Sequence, residues 1–122
     1  MPRLLVIDDH ATLRAAVARG LERAGHEVVQ AGSGTEGMAE LEGGPFDLVV
    51  TDINMPDMDG IEVILKLSQI YPDLPVIAVS GGGLMSHEIL LGNADALGAV
   101  DVLAKPFELA ELNAIIDRAL NT

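Results

Sequence analysis

Two adjacent carboxylates, Asp8 and Asp9, directly follow the apolar run Leu4-Leu5-Val6-Ile7, and junctions of the same kind recur along the chain. Asp52 and Asn54 follow Leu48-Val49-Val50, Ser80 follows Val76-Ile77-Ala78-Val79, and Lys105-Pro106 follows Val100 to Leu103. If the first and third runs are neighbouring strands about 4.8 Å apart, Asp8, Asp9 and Asp52 share one small depression. At about 5 Å and an effective dielectric on the order of 20, each like-charged pair there costs about 3 kcal/mol. Such a cluster requires a cation. Oxygen-only ligation suits hard Mg²⁺, which keeps several waters and leaves positions for phosphate oxygens. Lys105 can then neutralise a further anionic oxygen while Ser80 donates a hydrogen bond to another. Together these groups describe phosphoryl transfer with a carboxylate as the nucleophile.

The elements that must position them follow from hydrophobic patterning. The apolar runs above, with Val28-Val29, are continuous rather than alternating, as in parallel strands buried on both faces. Helical spacing fills the intervals: Leu13, Val17, Leu21 and Ala24; Ile61, Ile64, Leu65 and Leu67-Ser68; Leu109, Leu112, Ile116 and Leu120. Gly25, Pro45, Pro72, Pro75 and Gly98 punctuate the boundaries. A further helix is expected between about Ser86 and Leu97, weakened by Gly92 and Asn93 in its middle. Strict alternation of strands and helices implies right-handed crossovers, and so an α/β doubly wound fold with a five-stranded parallel sheet. In such sheets sites form outside the carboxyl ends of the strands, where the polar junctions fall.

Composition narrows the partners. Nineteen acidic against seven basic residues give a net charge of −12, which repels phosphate backbones and anionic lipid, so direct binding to nucleic acid or a membrane is not expected. With two Phe, one Tyr and no Trp, the chain offers little for a flavin to stack on. The absence of cysteine removes disulfides and thiolate sites and agrees with a reducing, cytoplasmic setting. The apolar run after Met1-Pro2-Arg3 is too short for a signal peptide or membrane span. The 122 residues read as one domain spanning 1–122.

Each site residue also has a plainer reading. Asp8-Asp9 could cap the helix that begins near Ala11, Asp52 and Ser80 could be loop residues, and Lys105 a solvated side chain. None of these explains their coincidence at four strand ends. Gly32-Ser33-Gly34-Thr35-Glu36-Gly37 matches a dinucleotide fingerprint, with Asp52 as its distal acid. That reading leaves Asp8, Asp9, Ser80 and Lys105 without a role, so the glycines are read as loop and packing residues. Asp57-Met58-Asp59-Gly60 fails as a calcium loop, because Met55 and Lys66 would occupy its first and twelfth positions. His10, His26 and His87 are scattered and read as surface residues, with His10 near the pocket rim.

Asp8-Asp9, the stretch from Asp52 to Gly60, Ser80-Gly81 and Lys105-Pro106-Phe107 resemble, in order and over the whole chain, the receiver domains of two-component response regulators. The resemblance implies a flavodoxin-like sheet of order 2-1-3-4-5 and Asp52 as phosphoacceptor. It implies Mg²⁺ on Asp9, Asp52 and the Asn54 carbonyl, with Asp8 assisting through water. Ser80 would turn toward the phosphoryl group, Lys105 would be its cationic partner, and the Lys105-Pro106 bond would be cis. It further implies a histidine kinase or phosphotransfer protein as donor and a downstream effector protein. The switching face would lie around the fourth helix, fifth strand and fifth helix, on a monomer or a phosphorylation-dependent dimer. Rather than a turnover enzyme, such a domain is a regulatory switch assisting its own phosphorylation and dephosphorylation.

Where receiver domains commonly carry Tyr or Phe, three positions before the lysine, this chain has Val102. An aromatic rotamer therefore cannot report its state, and the expectation shifts to the Ser80 to Gly83 loop and the helix after it. The rival readings are a Mg-dependent aspartyl-phosphate phosphatase, whose usual second acid is Asn54 here, and a degenerate receiver that only binds partners.

Overall fold

The computed structural model describes residues 1–53, 60–80, 101–105 and 107–121, with backbone alone at 60, 61 and 80. Its strands are β1 (Arg3–Ile7), β2 (Glu27–Ala31), β3 (Leu48–Asp52), β4 (Val76–Ser80) and β5 (Asp101–Ala104). Its helices are α1 (Ala11–Arg23), α2 (Gly34–Glu42), α3 (Gly60–Ile70) and a C-terminal helix, Leu109–Leu120. The strands form one parallel sheet in the order β2-β1-β3-β4-β5. The helix expected near 86–97, and the glycines at 81–83, 92 and 98, lie outside the described residues.

Alternation along each strand sorts the core into two layers. Leu5, Ile7, Val49, Ala78 and Val102 face α2 and α3 through Leu41, Val63, Ile64 and Leu67. Leu4, Val6, Val50, Ile77, Val79 and Leu103 face α1 and the C-terminal helix through Val17, Leu21, Leu112 and Ile116. Both faces are therefore covered, as continuous apolar strands demand.

Local chemistry sets the ends. Gly25, at φ +100°, reverses the chain after α1, its N–H donating to the Glu22 carbonyl at 3.0 Å. Ser33 caps α2 by accepting from the Glu36 N–H at 3.1 Å. Glu111 reaches back to the Glu108 N–H at 3.1 Å at the start of the C-terminal helix.

Two expectations are corrected. Leu65 is 41% exposed while Val63 is buried, so the inner face of α3 is Val63, Ile64 and Leu67. His26, read as a surface residue, is buried, because the turn at Gly25 directs it inward between α1 and β2 and its N–H donates to the Leu21 carbonyl.

The glycines of the fingerprint-like segment serve packing. A Cβ on Gly37 would run into the Ile7 side chain, so Gly37 sets how closely α2 approaches the end of β1. Gly37→Ala should overpack this contact by roughly 1–3 kcal/mol. Helix propensity returns about 1 kcal/mol. A net loss on the order of 1 kcal/mol is expected in urea unfolding.

A carboxylate cluster at the carboxyl edge of the sheet

Strand register brings the candidate residues together. Ile7 pairs with Thr51, so Asp8 and Asp52 stand at the same level of adjacent strands. Ser80 pairs with Ala104, which puts Lys105 just beyond the fifth strand. Asp8 and Asp52 are 7% and 4% exposed, whereas Asp9 is exposed. Oxygens of Asp8, Asp9 and Asp52 all lie within 4.8 Å of one another.

Lys105 closes the group from β5. Its Nζ donates to Asp52 Oδ2 at 3.0 Å and to Asp8 Oδ2 at 3.3 Å. The other Asp8 oxygen accepts the His10 N–H at 2.9 Å, just ahead of α1, whose N-cap is His10. Asp8 therefore steadies the helix start with Oδ1 while Oδ2 faces Lys105 and the other acids.

Burial acts to lower the Lys105 pKa, but the hydrogen bond to Asp52 and the charges of Asp52 and Asp8 outweigh it and hold the ammonium above its ordinary value. A raised folded pKa contributes stability that is complete below the unfolded value, about 10.4, and lost as pH rises through the folded one. Urea midpoints should fall above that pH, and fall less in Lys105→Met.

Sequence reasoning missed Arg14. From the first turns of α1 its Nη1 donates to the Asp8 carbonyl at 2.7 Å and its Nε to Gln30 Oε1 of β2 at 3.2 Å, tying down the loop that carries Asp8 and Asp9. A cationic side chain six positions after Asp8 was the available signal. Asn54, Pro106 and the loop after Ser80 lie outside the described residues. So do the cis bond and the Ser80 to Gly83 rearrangement expected there. Val102 is 5% exposed in the layer beneath α3.

All-oxygen donors on two neighbouring strands, with Asp9 open to solvent, fit a hard divalent cation. Residues 4–117 match the family described as the response regulator receiver domain. The chain belongs to that family. It is 35% identical over 120 residues to the response regulator receiver protein CpdR of Brucella abortus, covering 98% of each. It is 36% identical over 119 residues to the DNA-binding transcriptional regulator NtrC of Azospirillum brasilense, but spans only 24% of that protein.

Among solved structures, a receiver domain protein from Clostridium thermocellum superposes with a TM-score of 0.90 at 32% identity, over 99% of this chain and 95% of its own. The response regulator TrrA of Thermotoga maritima, in complex with Mg²⁺-BeF, gives 0.86 at 28% identity, over 98% of this chain and 100% of its own. The receiver domain is a phosphorylation-activated switch of two-component response regulators, and the sheet order 2-1-3-4-5 is that of this fold. No helix among the described residues is long and apolar enough to cross a membrane.

Proposed function

We propose that this chain relays a phosphoryl signal, with Asp52 as the acceptor and the span 1–122 acting as one receiver domain. The observation that carries the reading is Lys105 bridging the buried Asp8 and Asp52 beside Asp9, at the sheet edge where the family's chemistry would take place. In the proposed step a carboxylate oxygen of Asp52 bonds to the phosphorus of a phosphohistidine. The P–N bond breaks, and the departing imidazole nitrogen takes a proton from solvent. A divalent ion, Mg²⁺ in this reading, would be held by Asp9, Asp52 and the Asn54 carbonyl with Asp8 assisting, and would supply charge neutralisation. Lys105 is poised to exchange its carboxylate partners for a phosphoryl oxygen, and Ser80 would donate to another.

The donor is taken to be a histidine kinase or phosphotransfer protein and the receiver of the signal an effector protein. The charge of −12 favours protein over nucleic acid as the direct contact of this domain. Phosphorylation would act through the region between Ser80 and the C-terminal helix, since Val102 supplies no aromatic rotamer. Incubation with acetyl phosphate and Mg²⁺, read by intact-mass spectrometry, should add one phosphoryl group, and chelation by EDTA should prevent it. Labelling that ignores the metal, or no labelling at all, would remove the proposal.

A further inference from the structure

The edge of the sheet opposite the acid cluster carries a second concavity. It lies between the loop leading into β3 and the turn joining α3 to β4, and its volume is about 500 Å³, within the range of ligand-binding clefts. Leu41, Phe46, Tyr71 and Leu74 give it apolar walls, and Asp47 and Asp73 supply carboxylates. No lining residue is cationic. The chain has only two Phe and one Tyr, and two of these three aromatics meet in this hollow, where phosphoryl chemistry at the far edge has no use for them.

The walls are already held in place. Arg3 Nη1 donates to the Pro45 carbonyl at 3.0 Å, and the guanidinium lies 4.3 Å from the centre of the Phe46 ring. The Arg3 N–H donates to Asp47 Oδ2 at 2.7 Å, and the Asp47 N–H returns a bond to the Arg3 carbonyl at 2.7 Å. The charge of Arg3 is balanced by Glu27 at 2.8 Å. Across the hollow the Leu74 N–H donates to the Tyr71 carbonyl at 3.1 Å, and Pro72 and Pro75 stiffen that turn. A preformed site avoids ordering costs on binding.

We propose that this hollow docks a short segment of a partner protein that carries an arginine or lysine beside aliphatic or proline residues. Long cationic side chains bury an apolar stem and keep a charged head, which matches aromatic walls edged by two carboxylates. An anionic or acidic partner would meet Asp47, Asp73 and the net charge of −12, and is disfavoured. Because Asp47 precedes β3 and Asp52 ends it, docking here leaves the acid cluster open.

The test titrates N-acetyl-Leu-Arg-Pro-Leu-amide, and its citrulline analogue, into the ¹⁵N-labelled full chain. Saturable shifts should concentrate on Phe46, Asp47, Tyr71, Asp73 and Leu74. The citrulline peptide and the exposed-site variant Asp73→Asn should each weaken binding by about fivefold, the upper range for one exposed charge contact. An otherwise unchanged spectrum of Asp73→Asn would exclude misfolding. No saturable shift at millimolar peptide, equal binding of both peptides, or shifts centred on Asp8, Asp9 and Asp52 would each overturn the proposal.

Discussion

The Asp52→Asn variant should take up no phosphoryl group under conditions in which the native chain is labelled to completion. An amide oxygen matches the carboxylate in shape but is a far weaker nucleophile, so the loss should be complete rather than graded. Neighbouring acids are poorly placed to substitute. Asp8 has one oxygen on the His10 N–H and the other on Lys105, and Asp9 is exposed. Unfolding should not confuse the result. The substitution removes an ion pair at 3.0 Å, but it also relieves like-charge contact with Asp8 and Asp9 inside 4.8 Å. At an effective dielectric on the order of 20 these opposing contributions are each several kcal/mol and largely cancel. Thermal melting should therefore move little while intact mass shows no addition. A residual label would place the nucleophile on another residue.

Much of this geometry is legible in the sequence. Continuous apolar runs gave the strands, and the polar residues after the first, third and fifth runs gave the grouping of Asp8, Asp9, Asp52 and Lys105, because a parallel sheet collects its carboxyl ends at one edge. What the pattern could not supply was the register. Only the pairing of Ile7 with Thr51 puts Asp8 beside Asp52.

Side-chain partners were also out of reach. A phosphate oxygen is the expected partner of Lys105 in the phosphorylated form, and the residue types alone do not say that without phosphate its ammonium rests on Asp8 and Asp52. Arg14 escaped notice because a cationic residue six positions after Asp8 is a weak signal when its acceptor is a backbone carbonyl that residue types do not name. Leu65 and Val63 were interchanged because three- and four-residue spacings admit both on a short apolar helix. The hollow at the far edge joins Phe46 to Tyr71, residues distant in sequence, through a sheet edge that carries no motif.

Lys105→Met should destabilise the metal-free chain by about 2–3 kcal/mol, below the roughly 3–5 kcal/mol for losing one partner of a fully buried ion pair. The lysine side chain is 20% exposed, against 9% and 5% for Asp8 and Asp52, so water already screens part of the attraction. Methionine keeps the stem's packing and removes only the charge that two neighbouring carboxylates share.

The informative measurement is urea unfolding with EDTA and then with Mg²⁺. A cation bound only by the folded state stabilises it by about 2.7 kcal/mol at a hundredfold excess over Kd. In the proposed site that ion would compete with the Lys105 ammonium for the carboxylates of Asp8 and Asp52 in the native chain, but not in Lys105→Met. Mg²⁺ should accordingly stabilise the variant more than the native chain and recover most of the deficit. Equal metal-induced shifts in both would mean that ammonium and metal occupy separate ground, and would break the link drawn between the acid cluster and its cation.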